Sequence, residues 1–171
     1  MKKFNANQIR ILKIIHILFF IMWIGGGLGL IALMFLANPI LPDDIYMKFR
    51  SMQVIDDFLI IPGALGCLIT GIVYGAFTNW GFFRHNWLIV KWIMTVLQIL
   101  FGTFALGPWL NGNVDIAADL RRAALSNPEF LSNIMNIKIW GTLQVSLLLF
   151  MVIISVIKPW KSKGGEPIAA K

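Results

Sequence analysis

Long apolar stretches alternate with short polar segments along the whole chain. Four stretches carry almost no charge, namely 14–42, 58–83, 85–114 and 139–157. A bilayer core of ~30 Å is crossed by about 20 helical residues, so each stretch is long enough to span it. Lipid offers the backbone no hydrogen-bond partner, and each segment must therefore satisfy its own peptide groups. The pattern predicts four membrane-spanning α-helices.

The fold class that follows is all-α, a four-transmembrane-helix bundle. The predicted spans are about 8–36, 57–78, 86–107 and 137–158, and together they form one domain over residues 1–160. Residues 161–171 form a basic tail. Pro42-Asp43-Asp44 indicates a turn before a surface helix over 43–55, and Pro62 predicts a kink in the second span. The segment Ser126-Asn127-Pro128-Glu129 resembles a capping box that opens a long fourth helix.

Basic side chains are divided unequally between the two ends of this bundle. The end that holds both termini carries nine, namely Lys2, Lys3, Arg10, Lys13, Arg84, Lys158, Lys161, Lys163 and Lys171. The other end carries five, namely Lys48, Arg50, Arg121, Arg122 and Lys138. The positive-inside rule therefore predicts that both termini are cytoplasmic. The net charge of +7 then describes a rim that contacts anionic membrane lipids, and it is no argument for nucleic-acid binding.

Two ionisable side chains interrupt the apolar stretches. His16 lies six residues after Arg10, and Lys91 lies seven residues after Arg84. At ~1.5 Å per residue both are roughly 9–10 Å beyond those charges, on helices that run in the same direction. Ionisable groups inside a bilayer are costly, so both are candidate site residues. The alternatives are that Lys91 extends to the membrane surface and that a backbone carbonyl satisfies His16.

Polar and small residues continue along the same helix faces. Thr95, Gln98 and Gly102 follow Lys91 at helical spacing, and Trp23 follows His16. The glycines at 25–27 and 29 either let a second helix approach closely or leave room for a flat ligand, with Gly26 at their centre. A polar stripe within an apolar bundle indicates a lined cavity or a hydrogen-bonded seam.

Candidate metal ligands are few. His85 is the second of the two histidines, and ligation of one haem by His16 and His85 is an alternative that the helix directions permit. Cys67 is the single cysteine, and the chain has no Cys-x-x-Cys-His or His-Glu-x-x-His motif. A dedicated zinc site is therefore not predicted.

Several short motifs resemble the four-helix bacterial protoporphyrinogen oxidases (the HemJ family). They are Lys13-x-x-His16-x6-Trp23-x-x-Gly26, Pro62 with Gly71, Trp87-Leu88-x-x-Lys91 and Val156-Ile157-Lys158-Pro159-Trp160. At least one of these motifs lies in each of the four predicted spans. The pattern Asp57-x4-Pro62-x7-Thr70-Gly71 is more similar to a sister group of uncharacterised bacterial integral membrane proteins. The chain also has a more distant likeness to copper-resistance proteins with an early membrane histidine.

The resemblance implies a b-type haem and functional roles for His16 and Lys91. It also implies a multi-pass protein of the bacterial cytoplasmic (inner) membrane. The chain departs from the oxidase pattern at Ile89, where the family usually has a histidine. It also lacks a glutamate near Asn136-Ile137-Lys138. These departures weaken the case for porphyrinogen oxidation and leave haem or porphyrin binding open, so both a b-type cytochrome-like protein and a porphyrinogen redox protein stay as expectations.

The leading hypothesis is a membrane protein that binds haem or another tetrapyrrole, with a redox role. His16 would be the axial metal ligand and Lys91 a propionate partner, opposite ligand or proton carrier, catalytic if the protein is an oxidoreductase. Trp23, Gly26, Gln98 and His85 complete the predicted cofactor-binding set. A quinone or other electron partner and homo-oligomerisation are left open. The alternatives are a transport or metal-handling protein with a polar path lined by His16 and Lys91, and a structural subunit.

Overall fold

Four long helices make up the structure, a computed structural model that describes residues 3–78, 81–82 and 85–158. They are α1 (Ala6–Leu36), α2 (Pro42–Phe77), α3 (Asn86–Ser126) and α4 (Pro128–Ile157). Each is long and apolar enough to cross a membrane. The described residues contain no strand. The prediction of an all-α bundle with four spanning helices is confirmed.

The helix ends follow familiar capping chemistry. Asn5 caps α1, because its side chain accepts from the Gln8 backbone N–H at 2.9 Å and the Gln8 side chain bonds back to the Asn5 N–H. Asn127 caps α4 by accepting from the Phe130 N–H at 3.0 Å. The fourth helix thus begins where the sequence indicated. Its cap is Asn127, however, and the predicted first cap residue, Ser126, ends α3.

A lysine side chain satisfies the far end of α1. The Lys48 ammonium donates to the carbonyl oxygens of Met34 and Ala37, at 3.1 and 2.9 Å. These carbonyls have no intrahelical partner, and a cation there also interacts favourably with the helix dipole. This contact joins the end of α1 to the start of α2.

Three helices extend beyond the predicted spans. Residues 43–55, expected as a separate surface helix, are continuous with the second span in α2. The third span was predicted to end near 107, yet α3 continues to Ser126. The fourth span was predicted over 137–158, and α4 begins at Pro128, where the capping segment indicated the start of a long fourth helix. Charged and polar residues interrupted the apolar pattern at these points. Helical hydrogen bonding continues through such residues wherever another helix covers one face.

Short π-helical segments occur within α2, α3 and α4. Asp56–Ile60 precedes Pro62 in α2, and Gly102–Leu106 precedes Pro108 in α3. Proline lacks an N–H and its ring clashes with the preceding turn, and the wider π turn accommodates both effects. The predicted distortion at Pro62 thus takes the form of a π turn. In α4, Ile137–Gly141 has no proline, and the Thr142 hydroxyl donates to the Lys138 carbonyl at 2.6 Å.

Both glycines at the centre of α2 lie against α1. A Cβ on Gly63 would be 2.6 Å from the backbone nitrogen of Trp23, and one on Gly66 would be 2.2 Å from the Phe19 ring. The two antiparallel helices therefore approach to backbone contact, as small residues allow in membranes. This contact fixes which residues of α1 and α2 face each other.

The bundle has two different ends. The terminal end holds the starts of α1 and α3 and the finishes of α2 and α4, and there the Phe4 N–H donates to the Phe77 carbonyl at 2.9 Å. The distal end contains the larger apolar core, formed by Met34, Ile45, Phe49, Met52, Leu110, Val114, Ala117, Ala124, Phe130 and Ile137. The distal end is thus a compact helical cap.

Some predicted features lie outside the described residues. They are the basic tail over 161–171, Arg84, and the interfacial end of the fourth span at Pro159 and Trp160.

Substituting Gly63 by alanine tests the α1–α2 contact. The added methyl group would collide with the α1 backbone, which has no flexible atom to displace, and overpacking of this kind costs about 1–3 kcal/mol. We expect a clearly lower unfolding midpoint for detergent-purified Gly63→Ala protein. Gly25→Ala is the matched control, because a Cβ on Gly25 meets nothing within 4 Å. Equal midpoints for the two variants would contradict this helix packing.

Candidate functional site

A cavity of about 580 Å³ occupies the terminal half of the bundle. We call it the terminal cavity, and all four helices contribute to its lining. Its polar lining residues are Lys13, His16, Lys91, Thr95, Ser155 and Lys158. The structure thus brings His16 of α1 and Lys91 of α3 to one cavity. Sequence reasoning placed these two residues at similar depth.

The His16 ring is oriented by α2. Its Nδ1 lies 2.6 Å from the Thr70 hydroxyl oxygen, which is itself 2.6 Å from the Gly66 carbonyl and 3.2 Å from the Cys67 carbonyl. A hydroxyl has one proton to donate, and here it is directed at a carbonyl of its own helix. We infer from this that Nδ1 of His16 is the donor to Thr70, an assignment that sets the tautomer of the ring. In this tautomer Nε2 carries the lone pair.

Further contacts hold the same ring. Tyr74 meets His16 edge to face, with ring centroids 6.0 Å apart, and the Tyr74 hydroxyl donates to the Ile9 carbonyl at 3.4 Å. The buried thiol of Cys67 lies 3.9 Å from the carbonyl oxygen of His16. Cys67 therefore acts as a packing residue behind the histidine.

Lys91 lies in the lining from the α3 side. Among the residues that the structure describes, its ammonium makes no hydrogen bond or ion pair. A cation in an apolar bundle is stabilised by a counter-charge or water, so this amine is available to an anionic or polar occupant. Lys13 and Lys158 line the same cavity and add positive charge to it.

Aromatic side chains make much of the remaining wall. They are Phe20, Trp23, Tyr74, Trp87 and Trp92. Flat faces at several angles suit a large planar ligand, whose surface is covered by ring stacking and apolar contact.

Trp23 also borders a second cavity. This distal cavity, of about 450 Å³, lies on the other side of Trp23 and is lined by residues that include Asp56, Asp57, Gln98 and Gln144. Trp23 is 5% exposed and is common to the two linings. The predicted site residues are therefore divided between two cavities, with Gln98 in the distal one.

Two other predicted residues lie away from the terminal cavity lining. Gly26 is buried against α2, where a Cβ would be 2.7 Å from Ile60 and 3.2 Å from Leu59. It allows close helix packing, the first of the two roles considered for this glycine cluster. His85 is also buried, immediately before α3, and its ring stacks on Trp87 at 6.0 Å. It is not among the residues that line the cavity with His16.

Sequence reasoning missed Thr70 as a site residue. Thr70 is 54 positions from His16, on another helix, and the two meet only because α1 and α2 pack in this register. A weak signal existed, since Thr70 is a polar residue at mid-span. Counting back from the turn after α2 would have placed it near the depth of His16.

A conventional metal centre is not indicated. Within the described parts of the chain, no three side chains of His, Cys, Asp or Glu are grouped so that they could hold a metal ion. The terminal cavity therefore offers one imidazole and several amines rather than a ligand cluster. Such a set of side chains suits a metal ion whose other ligands are supplied by a bound molecule rather than by the protein.

A model of one protein family matches residues 10–160 of the chain. The family is described as a predicted integral membrane protein, DUF2269. Comparison with curated proteins and with solved structures gives no match. The expected relation to the four-helix protoporphyrinogen oxidases stays a prediction. Since the matched segment includes nearly all of the four helices and both cavities, the chain belongs to the DUF2269 family of predicted integral membrane proteins.

Proposed function

We propose that the terminal cavity binds a b-type haem or a related tetrapyrrole, and that the protein is a membrane redox protein. The observation that carries the proposal is which nitrogen of the His16 imidazole is hydrogen-bonded and which is left over. Its Nδ1 is occupied by Thr70, so Nε2 is the nitrogen left for iron. Metal-bound histidines typically donate their other N–H in this way, which fixes the ring and raises its basicity.

The residues present fit this group in size and surface. The cavity volume of about 580 Å³ is within the ~300–1,000 Å³ range of cofactor sites. Aromatic walls cover a macrocycle, and its propionates need cations. Lys91, Lys13 and Lys158 line the cavity and supply three. When bound, the group would supply one-electron chemistry at its iron.

Each protein residue then has a defined part. His16 binds the iron, and Thr70 positions His16. Lys91 holds a propionate by charge. Because Lys91 is on α3 and His16 on α1, the two residues hold the ligand from two sides. Trp23 closes the cavity on the distal side. The residues that distinguish the oxidase family are absent at Ile89 and near Lys138, so binding and electron transfer are proposed rather than porphyrinogen oxidation.

A second candidate is supported by the two cavities together. Polar side chains follow one another from His16 and Lys91 through Thr95 to Gln98 and Asp56, with Trp23 between the cavities. Gly29 of α1 faces Ile55 of α2, so His16 and Asp56 differ in depth by about 20 Å at 1.5 Å per residue. The row covers roughly two thirds of a ~30 Å bilayer core, and ionisable groups aligned inside a membrane are typical of proton and ion paths.

Replacing His16 tests the haem assignment. We expect protein purified from haem-supplied cells to show a Soret band, with sharpened visible bands on reduction, and His16→Ala to lose them. His85→Ala is the matched control, since His85 does not line the cavity, and it should keep the wild-type spectrum. A His16→Ala spectrum equal to wild type would refute the assignment, and loss in His85→Ala alone would transfer the role to that residue.

Substituting Thr70 separates positioning from ligation. Thr70→Val removes the hydroxyl that receives the His16 N–H, and such changes typically lower metal affinity by about 10–100-fold. We expect weaker haem binding and a higher midpoint potential, because a less basic imidazole stabilises ferric iron less. Thr70→Ser should restore both values. A valine variant with unchanged potential and affinity would mean that the His16–Thr70 bond serves packing alone.

Proton flux tests the second candidate. Wild-type protein in liposomes, with a pH-sensitive dye and an imposed potential, should show no flux above empty vesicles if the cavity is a haem site. Lys91→Met should then weaken haem binding and leave the flux unchanged, with Lys91→Arg as the charge-preserving control. Flux through colourless wild-type protein that disappears in Lys91→Met would replace the haem proposal with transport.

A further inference from the structure

Three π-helical segments meet at the distal cavity. Asp56–Ile60 of α2, Gly102–Leu106 of α3 and Ile137–Gly141 of α4 each contribute at least two residues to its lining. π-helical turns are rare and are frequent at functional sites. The prolines that follow them explain the π-helical segments of α2 and α3, each taken by itself. Their convergence on one cavity indicates that the cavity is a functional feature.

A buried amide in the same cavity lacks partners. Gln98 is 4% exposed, and neither its Oε1 nor its Nε2 has a hydrogen-bond partner among the described residues. Leaving both atoms unsatisfied is costly, especially in an apolar interior. Because Gln98 lines the cavity, an occupant that both donates and accepts hydrogen bonds would satisfy it.

Two more polar groups border the cavity. Gln144 of α4 is held in place by donating its Nε2 to the Gln98 backbone carbonyl at 3.4 Å. Asp56 of α2 lies in the lining, and it forms no ion pair with a described residue. An amide on α3 and a carboxylate on α2 thus offer polar contacts from two helices.

Apart from Asp57, Thr103 and Asn111, the rest of the wall is apolar and reaches the lipid. Ile61 and Leu65 line the cavity and are 45% and 44% exposed on the outside of the bundle. In a membrane this exposure faces acyl chains, so a ligand can enter sideways from the bilayer. A bare cation would need several oxygen ligands that converge on one point, and the described residues contain no group of three His, Cys, Asp or Glu side chains placed to hold a metal ion. The occupant is therefore an amphipathic molecule of the lipid phase.

We propose that the distal cavity binds the head group of a lipid-phase quinol. One quinol hydroxyl donates to Gln98 Oε1 and accepts from Gln98 Nε2, and the hydroxyl on the opposite side of the ring donates to Asp56. The apolar ring face packs on residues such as Leu148, and the tail leaves between Ile61 and Leu65. This site does not depend on haem in the terminal cavity.

Binding of decylubiquinol to the purified protein in lipid nanodiscs, measured by calorimetry under reducing conditions, tests this site. We expect saturable binding with one molecule per chain. Gln98→Leu should weaken it by about tenfold or more, since two hydrogen bonds are lost. Asp56→Asn, which keeps shape and removes the charge, should weaken it less. Thr95→Val is the matched control, because Thr95 is on the same helix but lines the terminal cavity.

Stability and spectrum separate this site from other roles of Gln98. Because the amide bonds to no described protein group, Gln98→Leu should keep or raise the unfolding midpoint and keep the haem spectrum. A lowered midpoint, or equal decylubiquinol binding by wild type and Gln98→Leu, would overturn the proposal, as would no saturable binding by wild type. Binding lost in Gln98→Leu while the Soret band is absent from wild type would support this site and refute the haem proposal.

Discussion

The close approach of α1 and α2 is the contact on which the rest of the structure depends. Gly63 brings α2 against the α1 backbone at Trp23 and Phe19, and Gly66 makes room for the Phe19 ring. In lipid the hydrophobic effect does not drive helices together, so association depends on packing and on a few hydrogen bonds. Fixing this register also places Thr70 opposite His16. The contact between α1 and α2 therefore determines both the packing of these helices and the arrangement of the candidate site.

The two halves of the bundle differ in how they are packed. At the distal end, the extensions of α2, α3 and α4 enclose an apolar core around Met52 and Phe130, both fully buried. The distal cavity borders this core at Leu110 and Ile137, and the terminal cavity lies beyond Trp23. A rigid cap at one end can hold the helices while the rest of the bundle leaves space for ligands, since each helix runs continuously from cap to cavity.

Trp23 relates the two cavities. Trp23 is a residue of α1 that is buried against α2, and it lines both the terminal cavity and the distal cavity. In the proposed function, a tetrapyrrole on one side and a quinol on the other would contact the same indole. An apolar ring at this position lies between the polar groups of the two cavities. The same side chain would act as a barrier in a transport protein, which is why the two candidate functions share most of their residues.

The amino-acid sequence determined the four spanning helices, because a bilayer requires long uncharged segments that satisfy their own backbone. It also placed His16 and Lys91 at similar depth, since helical rise converts sequence distance into height. Even the start of α4 was readable from Asn127 and Pro128, although the cap was assigned one residue early.

The tertiary structure decided which residues of different helices meet, because the pattern of apolar and polar residues along the chain does not contain this information. Asp56 is adjacent to the start of the predicted second span, and in the structure it borders the distal cavity. Thr70 meets His16, Gly26 meets α2, and Gln98 turns towards a different cavity from Lys91 on its own helix. Each of these outcomes depends on the rotation of one helix relative to another. That rotation is set by contacts between residues far apart in the chain, and hydropathy along a single helix does not specify it.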